Sequence, residues 1–440
     1  MTRDLLRRGL CTLLRVFYRR IEVAGREHVP QLGPVVFVLN HPNALIDPLV
    51  LLCRVSRPVS FLAKEPLFRM PLVGTLVRAM DSIPVYRRMD QAEMEKNQDT
   101  FAAARSVLAR GGSIALFPEG RSHDEPRLLP FRTGAARIAL GAAAEAGLKV
   151  VPASLYYSRK DVFRSSVLLC FGEPLQVDPT VPGPDGEPGQ DKVRELTERI
   201  RVALGSLTLE ADRHRALKLV AAAEEVITTA EDDTPTDLAS RHQTRQRVLE
   251  GYRRLRQEAP EDLARLERRV TRFEATVRLA GLSPRLLPAR GYRPAQVAWI
   301  TLRSLLTLLL LMPVAVVGMV MHAPTHFLIR FIAAHWGGGG ADGRASVKAV
   351  AGLVLYPATW LVLALLLWRV WSLPGALGAL GLGFPAGLAA LHFLERLQPL
   401  LGGARGVLLA LTGRRRFIRL LAERRAIRDD MRVLAERLGV

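Results

Sequence analysis

His41 and Asp47 stand six positions apart in the stretch Asn40-His-Pro-Asn-Ala-Leu-Ile-Asp47. A histidine with a nearby carboxylate is the smallest general-base pair: the imidazole takes a proton, and the carboxylate orients the ring and stabilises the imidazolium. Along a continuous helix each residue turns by about 100°, so positions six apart would leave from different faces. For the two to meet, His41 must sit in a turn and Asp47 must open the helix that carries Leu49, Val50, Leu51 and Leu52. The same residue types also suit plain architecture, in which Asn40 and Asp47 are caps and His41 is a loop residue.

Three further stretches carry chemistry. Leu116-Phe-Pro-Glu-Gly-Arg-Ser-His-Asp124 sets Glu119 and Arg121 on either side of Gly120, where the backbone can approach a ligand closely. Arg87 and Arg88 follow Ser82-Ile-Pro-Val-Tyr86, and Lys64 ends another short apolar run. Arginine grips a phosphate or carboxylate through two donors. Lys64, Arg87, Arg88 and Arg121 gathered at one edge would make an anion pocket, whereas each taken singly is an ordinary solvated residue.

Short apolar runs predict strands at Val35–Leu39, Val59–Ala63, Ser82–Tyr86, Ser113–Phe117, Val150–Tyr156 and Val167–Phe171. Helical patterns fall between them at Pro48–Cys53, Pro66–Met80, Met89–Arg110 and Thr133–Ala146. That alternation predicts an α/β fold with a mostly parallel sheet covered by helices. All the reactive stretches follow strands, at the carboxyl edge where open α/β sheets bind ligands.

Four blocks in order, Asn40-His-Pro-Asn-Ala-Leu-Ile-Asp47, Ile83-Pro-Val-Tyr-Arg87, Phe117-Pro-Glu-Gly120 and Val151-Pro-Ala-Ser154, make the chain resemble the glycerolipid acyltransferases over roughly residues 10–175. In that family the histidine is the base on the acceptor hydroxyl, the aspartate supports it, and the arginine and Glu-Gly blocks help to bind the acceptor. The resemblance implies these roles for His41, Asp47, Arg87, Glu119 and Gly120. Pro42, Asn43, Ala44, Leu45 and Ile46 separate His41 from Asp47, one residue more than in most members. That spacing, with Ser122-His-Asp124 and Leu129-Pro-Phe-Arg-Thr-Gly134, looks like the fungal-type glycerol 3-phosphate and dihydroxyacetone phosphate branch. The commoner Glu-Gly-Thr-Arg is absent, so Arg121 does not match the family's arginine directly.

The remaining sequence predicts membrane association. Residues 1–25 read as an amphipathic surface helix, with Leu6, Leu10, Leu13, Leu14 and Phe17 at helical spacing among arginines; packing on its own domain would give the same pattern. Interruption by Arg15, Arg19 and Arg20 excludes a signal peptide. Residues 26–205 form the expected catalytic domain, and 206–290 a charged helical region. Membrane segments are expected within 291–400, at Leu305–Met321, Ala349–Trp368 and Ala376–Leu394, followed by a basic cytoplasmic tail from 401 to 440. Basic flanks on both sides favour an even number of crossings, with the Pro313 segment re-entrant or interfacial. A net charge of +20 calls for an anionic partner. Interleaved acids and only 6% aromatics weigh against nucleic acid and favour anionic lipid. Cys11, Cys53 and Cys170 have no metal or CxxC spacing, predicting neither a disulfide nor a zinc site and fitting a reducing compartment.

The expected activity is acyl transfer from acyl-CoA or acyl carrier protein to a phosphorylated glycerol acceptor, without metal or cofactor. Glycerol 3-phosphate or dihydroxyacetone phosphate is the first acceptor and lysophosphatidic acid the alternative. The enzyme would be an integral membrane protein with a cytoplasmic catalytic domain, in the inner membrane if the source is bacterial. Two rivals are a hydrolase using His41, Asp47 and Glu119 as metal ligands, and a silent membrane scaffold that needs neither His41 nor Asp47.

Overall fold

The computed structural model describes residues 2–71, 73–86, 94–143, 147–179, 187–228, 237–280, 282, 294–336, 341–370 and 372–439. Two compact units divide the chain: Met1–Glu210 with Trp336–Ala349, and Ala211–His335 with Val350–Val440.

In the first unit the apolar runs become one sheet of β1 (Arg20–Ala24), β2 (Val35–Leu39), β3 (Ser60–Lys64), β4 (Ile83–Val85), β5 (Ser113–Leu116), β6 (Lys149–Tyr157), β7 (Ser166–Phe171) and β8 (Leu175–Gln176). Strand order is β1-β7-β6-β2-β5-β3-β4, with β8 beside β6. β2 pairs in parallel with β5 and β6, and β3 with β5 and β4. Beyond β6 the direction reverses: β7 and β8 run antiparallel to it, and β1 runs parallel to β7. β1, at a sheet edge, escapes sequence reading because Arg20 and Glu22 alternate with Ile21 and Val23 and leave no continuous apolar run of the kind that marks the other strands.

Side chains alternate across a strand. Accordingly Val35, Phe37 and Leu39 pack with α1 (Thr2–Phe17) and α2 (Ile46–Arg54), while Val36 and Val38 pack with α5 (Met94–Ala109), α6 (Gly134–Gly141) and α7 (Gln190–Leu207). Every residue of β2 is fully buried. The single helix expected over Pro66–Met80 is two, α3 (Glu65–Arg69) and α4 (Val73–Ala79). Met70 between them is extended, φ −72° and ψ 136°, because the following Pro71 disfavours the helical region at the preceding residue.

Two sequence expectations are corrected at the amino end. α1 is amphipathic, and Leu10, Leu14 and Phe17 are buried in the core of this unit, so these residues of its apolar face pack on its own domain. Cys11 and Cys53 form a disulfide joining α1 to α2, with Cα atoms 5.5 Å apart at a sequence separation of 42. No local spacing announces it, because the sulfurs meet only through packing of the two helices. Cys170 is free, and burial pushes its thiol up to about 11.

The second unit is helical: α8 (His214–Ile227), α9 (Leu238–Glu258), α10 (Pro260–Leu279), α11 (Pro294–Trp336), most of α12 (Ala341–Val370), α13 (Leu373–Thr412) and α14 (Arg414–Leu438). Regions expected as separate, 206–290 and 401–440, pack together: Phe417, Leu420 and Ile427 of α14 share a buried cluster with Val226, Val270 and Phe273. Arg424, 4% exposed, donates to the carbonyls of Glu225, Val226 and Thr228, satisfying acceptors at the end of α8. Three stretches, Thr301–Trp336, Gly343–Val370 and Leu373–Gln398, are long and apolar enough to cross a membrane. The catalytic domain expected at 26–205 is also redrawn, since it includes α1 and takes in residues 336–349.

Candidate active site

β2 delivers the site. Beyond Leu39, the Asn40 side chain prolongs the pairing with β6: its Nδ2 donates to Leu155 O at 3.1 Å, and Leu155 N–H donates to its Oδ1 at 2.7 Å. The chain then turns away from the sheet. Asn43 O accepts from the N–H groups of Ile46 and Asp47, which starts α2. Ala44 takes φ 30°, a conformation that L residues seldom adopt, so strain is held in the turn separating His41 from Asp47.

Asp47 lies in the first turn of α2 and is wholly buried. Its Oδ2 accepts from His41 Nδ1 at 2.9 Å and from Asn43 N–H at 2.7 Å, and its Oδ1 accepts from the Tyr157 hydroxyl at 2.6 Å. Such partners are what a buried carboxylate needs. Because Asp47 accepts, the proton of neutral His41 resides on Nδ1 and the lone pair on Nε2. The ring stacks on Phe117, with centroids 3.9 Å apart and planes 13° apart, which fixes its orientation. Burial raises the Tyr157 and Tyr18 hydroxyls above the usual tyrosine range, and the Asp47 charge adds to it, so Tyr157 remains a donor. Tyr18 accepts from Asn43 Nδ2 at 3.1 Å.

Glu119 follows β5 and turns inward, only 5% exposed. Its Oε1 accepts from the His41 backbone N–H at 3.0 Å, while Oε2 accepts from Leu129 N–H at 2.8 Å and pairs closely with His123 Nε2. His123 N–H donates to His41 O at 3.2 Å. Lys160 Nζ reaches Pro42 O at 3.1 Å and His123 O at 3.2 Å, and pairs with Asp124. Both carboxylate oxygens of Glu119 thus meet the protein itself and hold the loop that carries His41. Gly120 has φ 71°, and a Cβ there would lie 2.7 Å from Arg132 Nε, so the glycine makes the turn possible.

The other cations divide. Parallel pairing of β3 with β4 aligns Lys64 with Val85, ending both strands at the edge where β2 delivers His41. Arg87 and Arg88 lie outside the described residues. Arg121 is exposed. Among the described residues no group of three His, Cys, Asp or Glu side chains could hold a metal; Glu119 meets the backbone of His41 and not its ring. Sequence reading missed Tyr18, Tyr157 and Lys160 as supports because their partners lie 25 to 118 positions away, and missed Asn43 and His123 although each has a partner four residues along the chain.

Residues 20–156 match the acyltransferase family model. They form an acyltransferase-family domain. Glycerol-3-phosphate O-acyltransferase 1 of Saccharomyces cerevisiae is 24% identical over 82% of this chain and 60% of its own length. Glycerol-3-phosphate O-acyltransferase 2 of the same yeast is 37% identical over 37% of this chain and 22% of its own. A 1-acyl-sn-glycerol-3-phosphate acyltransferase of Borreliella burgdorferi is 31% identical over 31% of this chain and 51% of its own. The chain thus spans less than two thirds of the length of these relatives.

Proposed function

We propose that this protein transfers a fatty acyl group from an acyl thioester, acyl-CoA or acyl carrier protein, to a hydroxyl of glycerol 3-phosphate or dihydroxyacetone phosphate. The observation that carries this reading is the buried Asp47–His41 pair, which leaves Nε2 as a base at the carboxyl edge of an acyltransferase-family sheet. His41 Nε2 takes the acceptor hydroxyl proton as the oxygen attacks the thioester carbonyl. The tetrahedral intermediate expels the thiolate, which recovers the proton from the imidazolium. Base catalysis of this kind contributes about 10² to 10⁴-fold, and positioning supplies much of the remainder. Neither a metal nor a covalent acyl-enzyme enters this sequence of steps. Cationic groups at the strand ends, Lys64 with Arg87 and Arg88, would hold the phosphate. A second reading, acylation of lysophosphatidic acid, is favoured by the similarity to the Borreliella protein.

The three apolar stretches support residence in a membrane, with anionic lipid facing the basic surfaces. The packing of α14 with α8 and α10, which flank the apolar stretches in the chain, supports an even number of crossings. The arginine-rich α14 favours the cytoplasmic side for them.

Offering glycerol 3-phosphate, dihydroxyacetone phosphate and lysophosphatidic acid in competition, with mixed acyl-CoAs, tests the reading by mass spectrometry of the products. Mono-acylated glycerol 3-phosphate or dihydroxyacetone phosphate is expected to dominate, and to disappear in His41→Ala. No acylated product from the wild type, or near wild-type kcat in His41→Ala, would refute the mechanism.

A further inference from the structure

Residues 336–349 belong to the same compact unit as residues 1–210. Ala345 and Ala349 of α12 are small, one helical turn apart and buried at 0% and 6% exposure, so the helix backbone approaches closely. Ala349 joins the cluster that contains Leu39, Ile46 and Leu49. Between these alanines, Ser346 Oγ accepts from Leu45 N–H at 3.2 Å. Leu45 follows the strained Ala44 and caps α2, and the turn's own backbone bonds come from Ile46 and Asp47. The hydroxyl thus holds the turn that separates His41 from Asp47.

A second connection runs through the neighbouring turn. Arg344 Nε pairs with Asp161 Oδ2 at 3.5 Å, and Lys348 Nζ donates to Asp161 O at 2.5 Å. The adjoining Lys160 donates to Pro42 O and accepts from Asn43 Nδ2 at 3.3 Å. Pro42 and Asn43 lie between His41 and Asp47, and Asn43 N–H itself bonds Asp47. From α12, therefore, the His41–Asp47 loop is held both directly and through Lys160–Asp161.

We propose that Arg344, Ser346 and Lys348 are positioning residues for acyl transfer, making the first two turns of an apolar, membrane-length helix part of the active-site scaffold. This inference rests on the acyltransferase reading above. Their recorded partners are Leu45 and Asp161, through which they hold the loop between His41 and Asp47. A misplacement of the base by a fraction of an ångström lowers the rate of the chemical step while leaving substrate binding largely intact.

The test uses the full chain in detergent or nanodiscs, with glycerol 3-phosphate and a long-chain acyl-CoA. Ser346→Ala is expected to lower kcat about tenfold, with both KM values within about twofold of wild type. Ser346→Thr, which keeps the hydroxyl, should restore most of that loss. The Arg344→Gln/Lys348→Gln double variant should show the same split between kcat and KM, and decides the matter if Ser346→Ala fails to fold. Wild-type kcat in both variants, or a loss confined to KM, would overturn the proposal. A wild type that acylates no acceptor would overturn the acyltransferase reading and this inference with it.

Discussion

Replacing Asp47 by asparagine removes a charge without removing volume. In the wild type, Asp47 Oδ2 accepts from His41 Nδ1 at 2.9 Å and Asn43 N–H at 2.7 Å, and Oδ1 accepts from Tyr157 at 2.6 Å. Asparagine can keep its single carbonyl oxygen toward His41 and Asn43 and turn its amide toward Tyr157, whose hydroxyl oxygen can then accept. The ring would stay in place on Phe117, but the imidazolium formed during reaction would lose its counter-charge. Two unit charges about 4 Å apart in a medium of effective dielectric about 20 attract by about 4 kcal/mol. Full loss of that attraction as charge develops corresponds to about a thousandfold in rate. Asp47→Asn should therefore lower kcat by about 10³ with little change in the KM of the acyl donor. Steady-state kinetics on the purified variant, alongside its thermal midpoint, provides the measurement. A folded Asp47→Asn protein within about threefold of wild-type kcat would show that the carboxylate does not stabilise the imidazolium.

Glu119→Gln leaves one acceptor oxygen where two stood, so either His41 N–H or the Leu129–His123 side loses its partner; kcat should fall about tenfold while the acceptor KM stays near wild type. A raised acceptor KM at unchanged kcat would instead make Glu119 a substrate-binding group. In α9, burial first and the Arg245 charge second lower His242 to about 4. An unfolded histidine titrates near about 6.5, so the unfolded chain binds the proton first, and stability present at neutral pH is lost as pH falls from about 6.5 toward about 4, by up to about 3 kcal/mol. Thermal midpoints at pH 7.5 and pH 5 should diverge in the wild type and converge in His242→Gln; equal divergence in both proteins would remove His242 as the cause.

Much of the catalytic sheet is legible because a strand buried on both faces must be apolar along its whole length, and Val35–Leu39 has no polar residue to misdirect the reading. The break at Met70–Pro71 was equally visible in principle, since the proline states its own constraint on the residue before it. By contrast, the amphipathic pattern of α1 specifies that Leu10, Leu14 and Phe17 share a face, but contains nothing about whether a sheet or a bilayer covers that face. The disulfide, the Tyr157–Asp47 bond and the Ser346–Leu45 bond join residues 42, 110 and 301 positions apart, distances at which local periodicity has no force.

Glu119 shows where motif reading reaches its limit. A carboxylate after a strand end, next to a glycine, announces a functional turn, and the turn is indeed beside the base. Whether that carboxylate faces a substrate or the protein depends on which donors the neighbouring loop offers. Pairing of β2 with β5 brings the loops that follow them together, and the His41 N–H, the Leu129 N–H and the His123 ring supply those donors. Three donors from the protein thus meet the two oxygens, so most of the carboxylate's accepting capacity goes to the loop that carries His41. A carboxylate repels phosphate, so under the acyltransferase reading a phosphorylated acceptor would be held by cations, and Lys64 at the end of β3 is one that the sheet supplies at the same edge.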